Sequence, residues 1–230
     1  MICSINPASN IFIKEYQTFS HAKIKSILIQ SQNSFSHWKN TSLDQRRKVL
    51  LSIAEELNNN IELHSRMITD EMGKPIVESR MEIDKCVWVL KYFAENACSF
   101  LDEKRITTDY AESYVEYKPL GVILGIMPWN FPYWQIIRFV APALMAGNVC
   151  LVKHAPNVTG CSLLIEKLIA NNCKVKDVYK ALIIEEHKVK QVIESDVVKA
   201  VSLTGSEKAG SAVAMLAGKE IKKTVLELGG

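Results

Sequence analysis

Apolar residues recur at helical spacing from Arg46 to Leu57, where Val49, Leu50, Ile53, Ala54 and Leu57 share one face, and Ser42 or Asp44 stands where an N-cap is wanted. Asn58 to Asn60 closes this helix. A second, over about 61–72, ends at Gly73 with Pro75 just beyond, a left-handed cap followed by a residue that cannot continue the helix. A longer one follows over about 76–101, so residues 1–103 read as mainly helical. At 113–118 the period changes to two. Tyr114, Glu116 and Lys118 alternate with Val115 and Tyr117, the pattern of a strand with one polar face.

From Gly121 the pattern becomes apolar strands separated by helical stretches. The strands fall at 122–127, 149–153, 178–184, 200–204 and 224–228, and the helices at about 134–145, 159–171, 187–194 and 206–216. Strands apolar on both faces, each followed by a helix, predict an α/β fold with a parallel sheet covered on both sides. Ligands of such doubly wound sheets bind beyond the carboxyl ends of the strands. The chain stops at Glu227-Leu228-Gly229-Gly230, directly after a strand. Domain boundaries usually fall in polar linkers, so further chain is expected downstream.

Composition narrows the class. The 230 residues are 48% hydrophobic and 23% charged, enough for a sizeable core, which excludes disorder and coiled coil. Net charge is only +3 with both signs interspersed, so no basic stripe exists for nucleic acid. Residues 119–152 hold one charge, Arg138, and are long enough to span a membrane. Pro119, Gly121, Gly125, Pro128, Asn130 and Pro132 interrupt any helix there and would strand backbone groups in lipid, so no membrane segment is expected. The polar Ser4, Asn6, Ser9 and Asn10 break the apolar run that an export signal requires. Cys3, Cys86, Cys98, Cys150, Cys161 and Cys173 form no CxxC pair or zinc spacing and read as reduced core thiols of a cytoplasmic protein.

The glycines exclude one nucleotide class. There is no GxGxxG, and Gly205 to Gly210 has P-loop spacing without the lysine that would follow it. A strand turning through Thr204-Gly205-Ser206 into a helix remains, and its first amides either meet an anion or are simply capped by Ser206. Met127-Pro128-Trp129-Asn130-Phe131-Pro132 is more specific: it holds a carboxamide between two prolines and two aromatics at a strand end.

That segment, Lys153 at the next strand end, Leu203-Thr204-Gly205-Ser206 and the terminal Glu-Leu-Gly-Gly occur in the order found in aldehyde dehydrogenases. The chain resembles that family throughout, over about the first half of a complete member. The resemblance implies a Rossmann-like part at 119–230, an oligomerisation arm at about 104–118, assembly into homo-oligomers and a small aldehyde substrate. It implies that Asn130 donates to the oxyanion formed when a thiolate attacks the aldehyde, and that Glu227 is the general base for hydrolysis of the thioester. The alternatives are a structural amide for Asn130 and a salt bridge to Lys222 or Lys223 for Glu227. At the mouth of an apolar strand Glu227 is expected to have a raised pKa.

For the cofactor, NAD or NADP, the resemblance assigns Lys153 to the adenosine ribose and Thr204, Gly205 and Ser206 to the pyrophosphate side. Met127, Pro128, Trp129, Leu228 and Gly229 complete the cleft. Many members carry a glutamate three residues after the lysine, where this chain has Pro156, which leaves the choice between the two cofactors open. Arg138 lies eight residues after Asn130, roughly two helical turns on, and matches the arginine with which succinate-semialdehyde dehydrogenases hold the distal carboxylate. An internal ion pair is its alternative. The family's nucleophilic cysteine lies beyond Gly230, so catalysis requires further chain or a second polypeptide carrying it. A non-catalytic nucleotide-binding module and the remnant of a broken gene are the competing readings.

Overall fold

The computed structural model describes residues 1–229; Gly230, last of the terminal motif, lies outside the described residues. The chain opens with an antiparallel hairpin of β1 (Ile2–Ile5) and β2 (Phe12–Tyr16), in which Ile2 faces Tyr16. Its turn is held by the Asn6 side chain, which accepts from the amides of Ala8 and Ser9. The reading of residues 1–103 as mainly helical placed no strand here, and this hairpin corrects it. Its strands are too short to show a period of two.

Four helices follow: α1 (His21–Trp38), α2 (Leu43–Asn59), α3 (Ile61–Met72) and α4 (Ile76–Leu101). Ser42, not Asp44, caps α2, and its hydroxyl and the Gln45 side chain form a reciprocal capping box. Gly73 ends α3 at φ +77°, the left-handed cap read from the sequence. Ile53, Leu57, Ile83 and Leu90 on α2 and α4 are fully buried, each contributing about 1.5–3 kcal/mol by leaving water.

The expected polar-faced strand at 113–118 shrinks to β4 (Tyr114–Val115), paired only with β3 (Lys104–Arg105). Both are exposed, and two isolated strands bury too little to propagate further.

The central sheet contains β5 (Val122–Met127), β6 (Val149–His154), β7 (Tyr179–Ala181), β8 (Val198–Gly205) and β9 (Lys223–Leu228), all parallel, in the order β7-β6-β5-β8-β9. Helices α5 (Trp134–Met145), α6 (Thr159–Asn172), α7 (Val189–Ile193) and α8 (Glu207–Lys219) make the connections. The expected 178–184 strand narrows to β7, since the chain leaves this edge after Ala181. The expected 187–194 helix is a 3-10 turn, Glu186–Lys188, followed by the short α7. The weakly charged stretch 119–152 is divided among β5, α5 and β6, and no helix among the described residues is long and apolar enough to cross a membrane.

This strand order reverses direction between β5 and β8, so a crevice opens between their carboxyl ends. Side chains alternate across the sheet, and the register assigns the faces. Gly125 lies under the Phe139 ring of α5, whereas Leu228 packs on Gly210 of α8. Met127, Thr204 and Glu227 share the face of Gly125; Lys153, paired with Ile126, shares the α8 face.

Candidate active site at the carboxyl edge of the sheet

Asn130 lies on the turn between β5 and α5, exposed, with its amide free of protein partners among the described residues. The alternative of an amide tying down its own turn is therefore not what holds this segment. Three other groups do. His154 lies between the two ends of the turn, with Nδ1 3.1 Å from the Met127 carbonyl oxygen and Nε2 3.0 Å from that of Pro132; its neutral ring donates to one of them. Glu82, from α4, accepts through one oxygen from the amides of Tyr133 (2.8 Å) and Trp134 (3.0 Å), satisfying the start of α5. Its other oxygen pairs with Lys74, whose ammonium sits 3.8 Å from the centre of the Phe131 ring.

Lys74 and Glu82 are 7% and 1% exposed, a buried pair. Sequence reasoning missed both. Glu82 lies 51 residues from the amides it serves and is flanked by residues of an ordinary helix. The one visible signal is Gly73-Lys74-Pro75, where a lysine is locked between a helix cap and a proline.

On the α5 face, Met127, Gln135, Arg138, Thr204, Val225 and Glu227 line a groove of about 360 Å³. Arg138 donates from both terminal nitrogens to the two Glu227 oxygens, from Nη2 to the Thr204 hydroxyl at 2.9 Å, and from Nε to Gln135 at 2.9 Å. The expected raised pKa of Glu227 is thereby corrected: the Arg138 hydrogen bonds hold its carboxyl below the usual glutamate range, against a smaller upward push from burial. Lys222 and Lys223 are not its partners; Lys222 donates to the carbonyls of Ile193 and Ser195.

A depressed carboxyl pKa adds stability above the unfolded value, lost as pH falls through the folded one. With Glu227 about half exposed (49%), this pair contributes no more than about 1 kcal/mol. Replacing Arg138 with methionine is expected to return the Glu227 midpoint upward in a carboxyl-carbon NMR titration. An unchanged midpoint would contradict the pairing.

Lys153 is on the opposite face, 7% exposed, and its ammonium makes neither hydrogen bond nor ion pair among the described residues. Burial pushes its pKa down, and the Glu186 carboxylate pushes it back up. An ammonium that ends a largely buried side chain and has no protein acceptor is free to donate to a polar ligand with hydroxyls, as an adenosine ribose is. Ser206 caps α8 by accepting from Ala209, and the Gly229 amide donates to Gly205 at 3.2 Å, drawing the ends of β8 and β9 together. Pro128 is half-buried and Trp129 exposed at the end of β5, and Leu228 ends β9. The structure thus separates Met127, Arg138, Thr204 and Glu227 on one face from Lys153 on the other, with Asn130, Gly205 and Ser206 along the edge between them.

All six cysteines are free, but only Cys86, Cys150, Cys161 and Cys173 are buried; Cys3 and Cys98 are exposed, so two are not core thiols. Burial pushes the four inner thiols up, opposite to the shift a nucleophile needs.

The model of the aldehyde dehydrogenase family matches residues 1–230. A probable succinate-semialdehyde dehydrogenase [NADP(+)] of Synechocystis is 39% identical over 229 residues, covering 100% of this chain and 50% of that protein. A succinate semialdehyde dehydrogenase [NAD(P)+] of Escherichia coli K12 is 38% identical, covering 99% of this chain and 49% of its own length. The crystal structure of succinic semialdehyde dehydrogenase from Streptococcus pyogenes in complex with NADP+ superposes with a TM-score of 0.96 at 32% identity, over 100% of this chain and 51% of that one. The chain spans about half the length of the curated relatives it matches. On the family match, carried over the whole chain, this protein belongs to the aldehyde dehydrogenase family.

Proposed function

We propose that this chain supplies the dinucleotide site, the oxyanion donor and the general base for NAD(P)-dependent oxidation of an aldehyde to a carboxylic acid, with succinate semialdehyde as substrate. The observation that carries this reading is Lys153, a largely buried side chain whose ammonium has no protein acceptor among the described residues, beside a strand-order reversal whose edge also presents the free Asn130 amide. A dinucleotide bound there would supply the hydride acceptor for oxidation of the substrate carbon.

Lys153 holds the ribose, Ser206 and the first turn of α8 face the pyrophosphate, and the main chain at Pro128, Trp129 and Gly229 lines the crevice. Asn130 donates to the oxygen of the attacked carbonyl, where negative charge develops, and it is held for this by Glu82, Lys74 and His154. Arg138 takes the distal carboxylate of the substrate. That carboxylate competes with Glu227 for the same guanidinium, so substrate binding releases Glu227 to take a proton from water. The nucleophilic thiol is supplied by sequence outside these 230 residues: the four inner thiols are burial-suppressed, Cys3 lies in the N-terminal hairpin and Cys98 near the end of α4. Exposed β3 and β4 serve assembly into homo-oligomers, and six unpaired cysteines accord with a cytoplasmic setting.

The test is complementation with the separately expressed second half of the Synechocystis relative, assayed for cofactor reduction with succinate semialdehyde. Turnover is expected from the two halves together, and Asn130→Ala is expected to lower it by about a hundredfold, the effect of losing one oxyanion donor. A hybrid that assembles and binds cofactor yet shows no turnover would overturn this reading.

A further inference from the structure

The strand next to the one that carries Lys153, β7, is only three residues long. Its pairing with β6 ends at Val152 and Ala181, and the Leu182 amide adds one bond to the Val152 carbonyl at 2.7 Å. In that register Leu182 and Ile183 stand beside Lys153 and His154, and residues 183–188 run past the carboxyl end of β6 with one 3-10 turn as their only regular structure. Among the described residues, the one main-chain hydrogen bond that reaches 183–188 from another element comes from the Phe19 amide, which donates to the Ile183 carbonyl at 2.8 Å. We propose that residues 2–21 form a strap that positions this wall of the dinucleotide cleft, and that Lys188 and Gln191 are the positioning side chains that fasten it.

Lys188 donates from Nζ to the Phe19 carbonyl at 2.9 Å. Gln191 donates from Nε2 to the His21 carbonyl at 3.2 Å, and its Oε1 meets His21 Nδ1. At the other end of the strap the buried Tyr16 packs on Gly160 in the first turn of α6, where an added Cβ would lie 2.9 Å from the Tyr16 hydroxyl oxygen. Glu71 completes that turn by accepting from the Gly160 and Cys161 amides at 2.9 Å each. Between these two holdfasts Ile2 closes on His154: a small cavity is lined by Ile2, His154, Ser162 and residues 181–184. The start of α6 and the 182–191 segment, which flank the end of β6, are thus tied to one piece of chain. A wall held in its ligand-ready position spares a ligand the entropy of ordering it. Unfastened, it lowers the observed affinity in proportion to the fraction of molecules in which the wall is in place.

The inference rests on the dinucleotide reading above and is tested so that the two can fail separately. The full chain is titrated calorimetrically with NAD+ and with NADP+ as wild type, Lys188→Met, Lys188→Arg and the double variant Lys188→Met with Gln191→Leu, and melting midpoints are taken on the same samples. Affinity for the dinucleotide that the wild type binds is expected to fall about threefold in Lys188→Met and about tenfold in the double variant, and to stay at the wild-type value in Lys188→Arg. Amide exchange over 183–191 should quicken in the double variant and slow again at saturating dinucleotide. Wild-type affinity in the folded Lys188→Met and double variants, whatever their melting midpoints, would show that the two side chains are structural only and overturn the positioning role while the cleft stands. Binding of neither dinucleotide by folded wild-type protein would overturn the dinucleotide reading, and this role with it.

Discussion

Replacing Glu82 with alanine is expected to destabilise the protein by about 3–5 kcal/mol, the cost of leaving a buried charge without its partner. The ammonium of Lys74 would remain in a position only 7% exposed, with the Phe131 ring as its remaining neighbour. The amides of Tyr133 and Trp134 would lose their acceptor at the start of α5, where the helix has no side-chain cap of its own. The change would also loosen the turn that carries Asn130. A double variant, Lys74→Met with Glu82→Gln, removes the charge while keeping an oxygen for the two amides, and most of the lost stability should return. Urea unfolding of the three proteins makes the comparison. Single and double variants that unfold together would show that the buried pair contributes nothing specific.

Acid should act almost as strongly. Burial pushes both His64 and His154 down to about 4, from an ordinary value near 6.5. Each is neutral in the folded protein across a range where the unfolded chain binds a proton. Stability is therefore complete above about pH 6.5 and falls as pH drops toward 4, by up to roughly 3 kcal/mol per histidine. Both shifts end at about the same value, so the two histidines should contribute about equally, and His64, whose Nδ1 lies 2.7 Å from the Tyr133 hydroxyl, is the one to vary. Urea midpoints at intervals from pH 7 to pH 4.5 give the slope, which should flatten in His64→Gln. A midpoint independent of pH over that interval would contradict the buried neutral imidazoles.

Much of the layout is legible in the chain itself because it is local. The helix ending at Gly73, the strand at Val122 and the helix from Trp134 to Met145 are each written in periodicity and caps carried by the same few residues. What stayed hidden is long-range. The partner of Arg138 is 89 residues away, and the strand pairing that brings them together is set by the strand order of the sheet, which no local pattern encodes. The same reason inverted the expected pKa of Glu227: its position at a strand mouth is visible in sequence, whereas the guanidinium opposite it is not. Glu82 beneath the Asn130 turn is a further case in which tertiary placement, and not residue type, makes an ordinary surface-looking acid a support of the candidate site.

The most direct test of a dinucleotide cleft built by these residues is calorimetric titration of folded chain and of its Lys153→Ala variant with NAD+ and NADP+. Saturable binding of at least one dinucleotide, weakened by about tenfold to a hundredfold in the variant through loss of a charge-assisted hydrogen bond, is the predicted result. Equal binding by both proteins, or no heat with either dinucleotide from protein of native circular dichroism, would contradict the account.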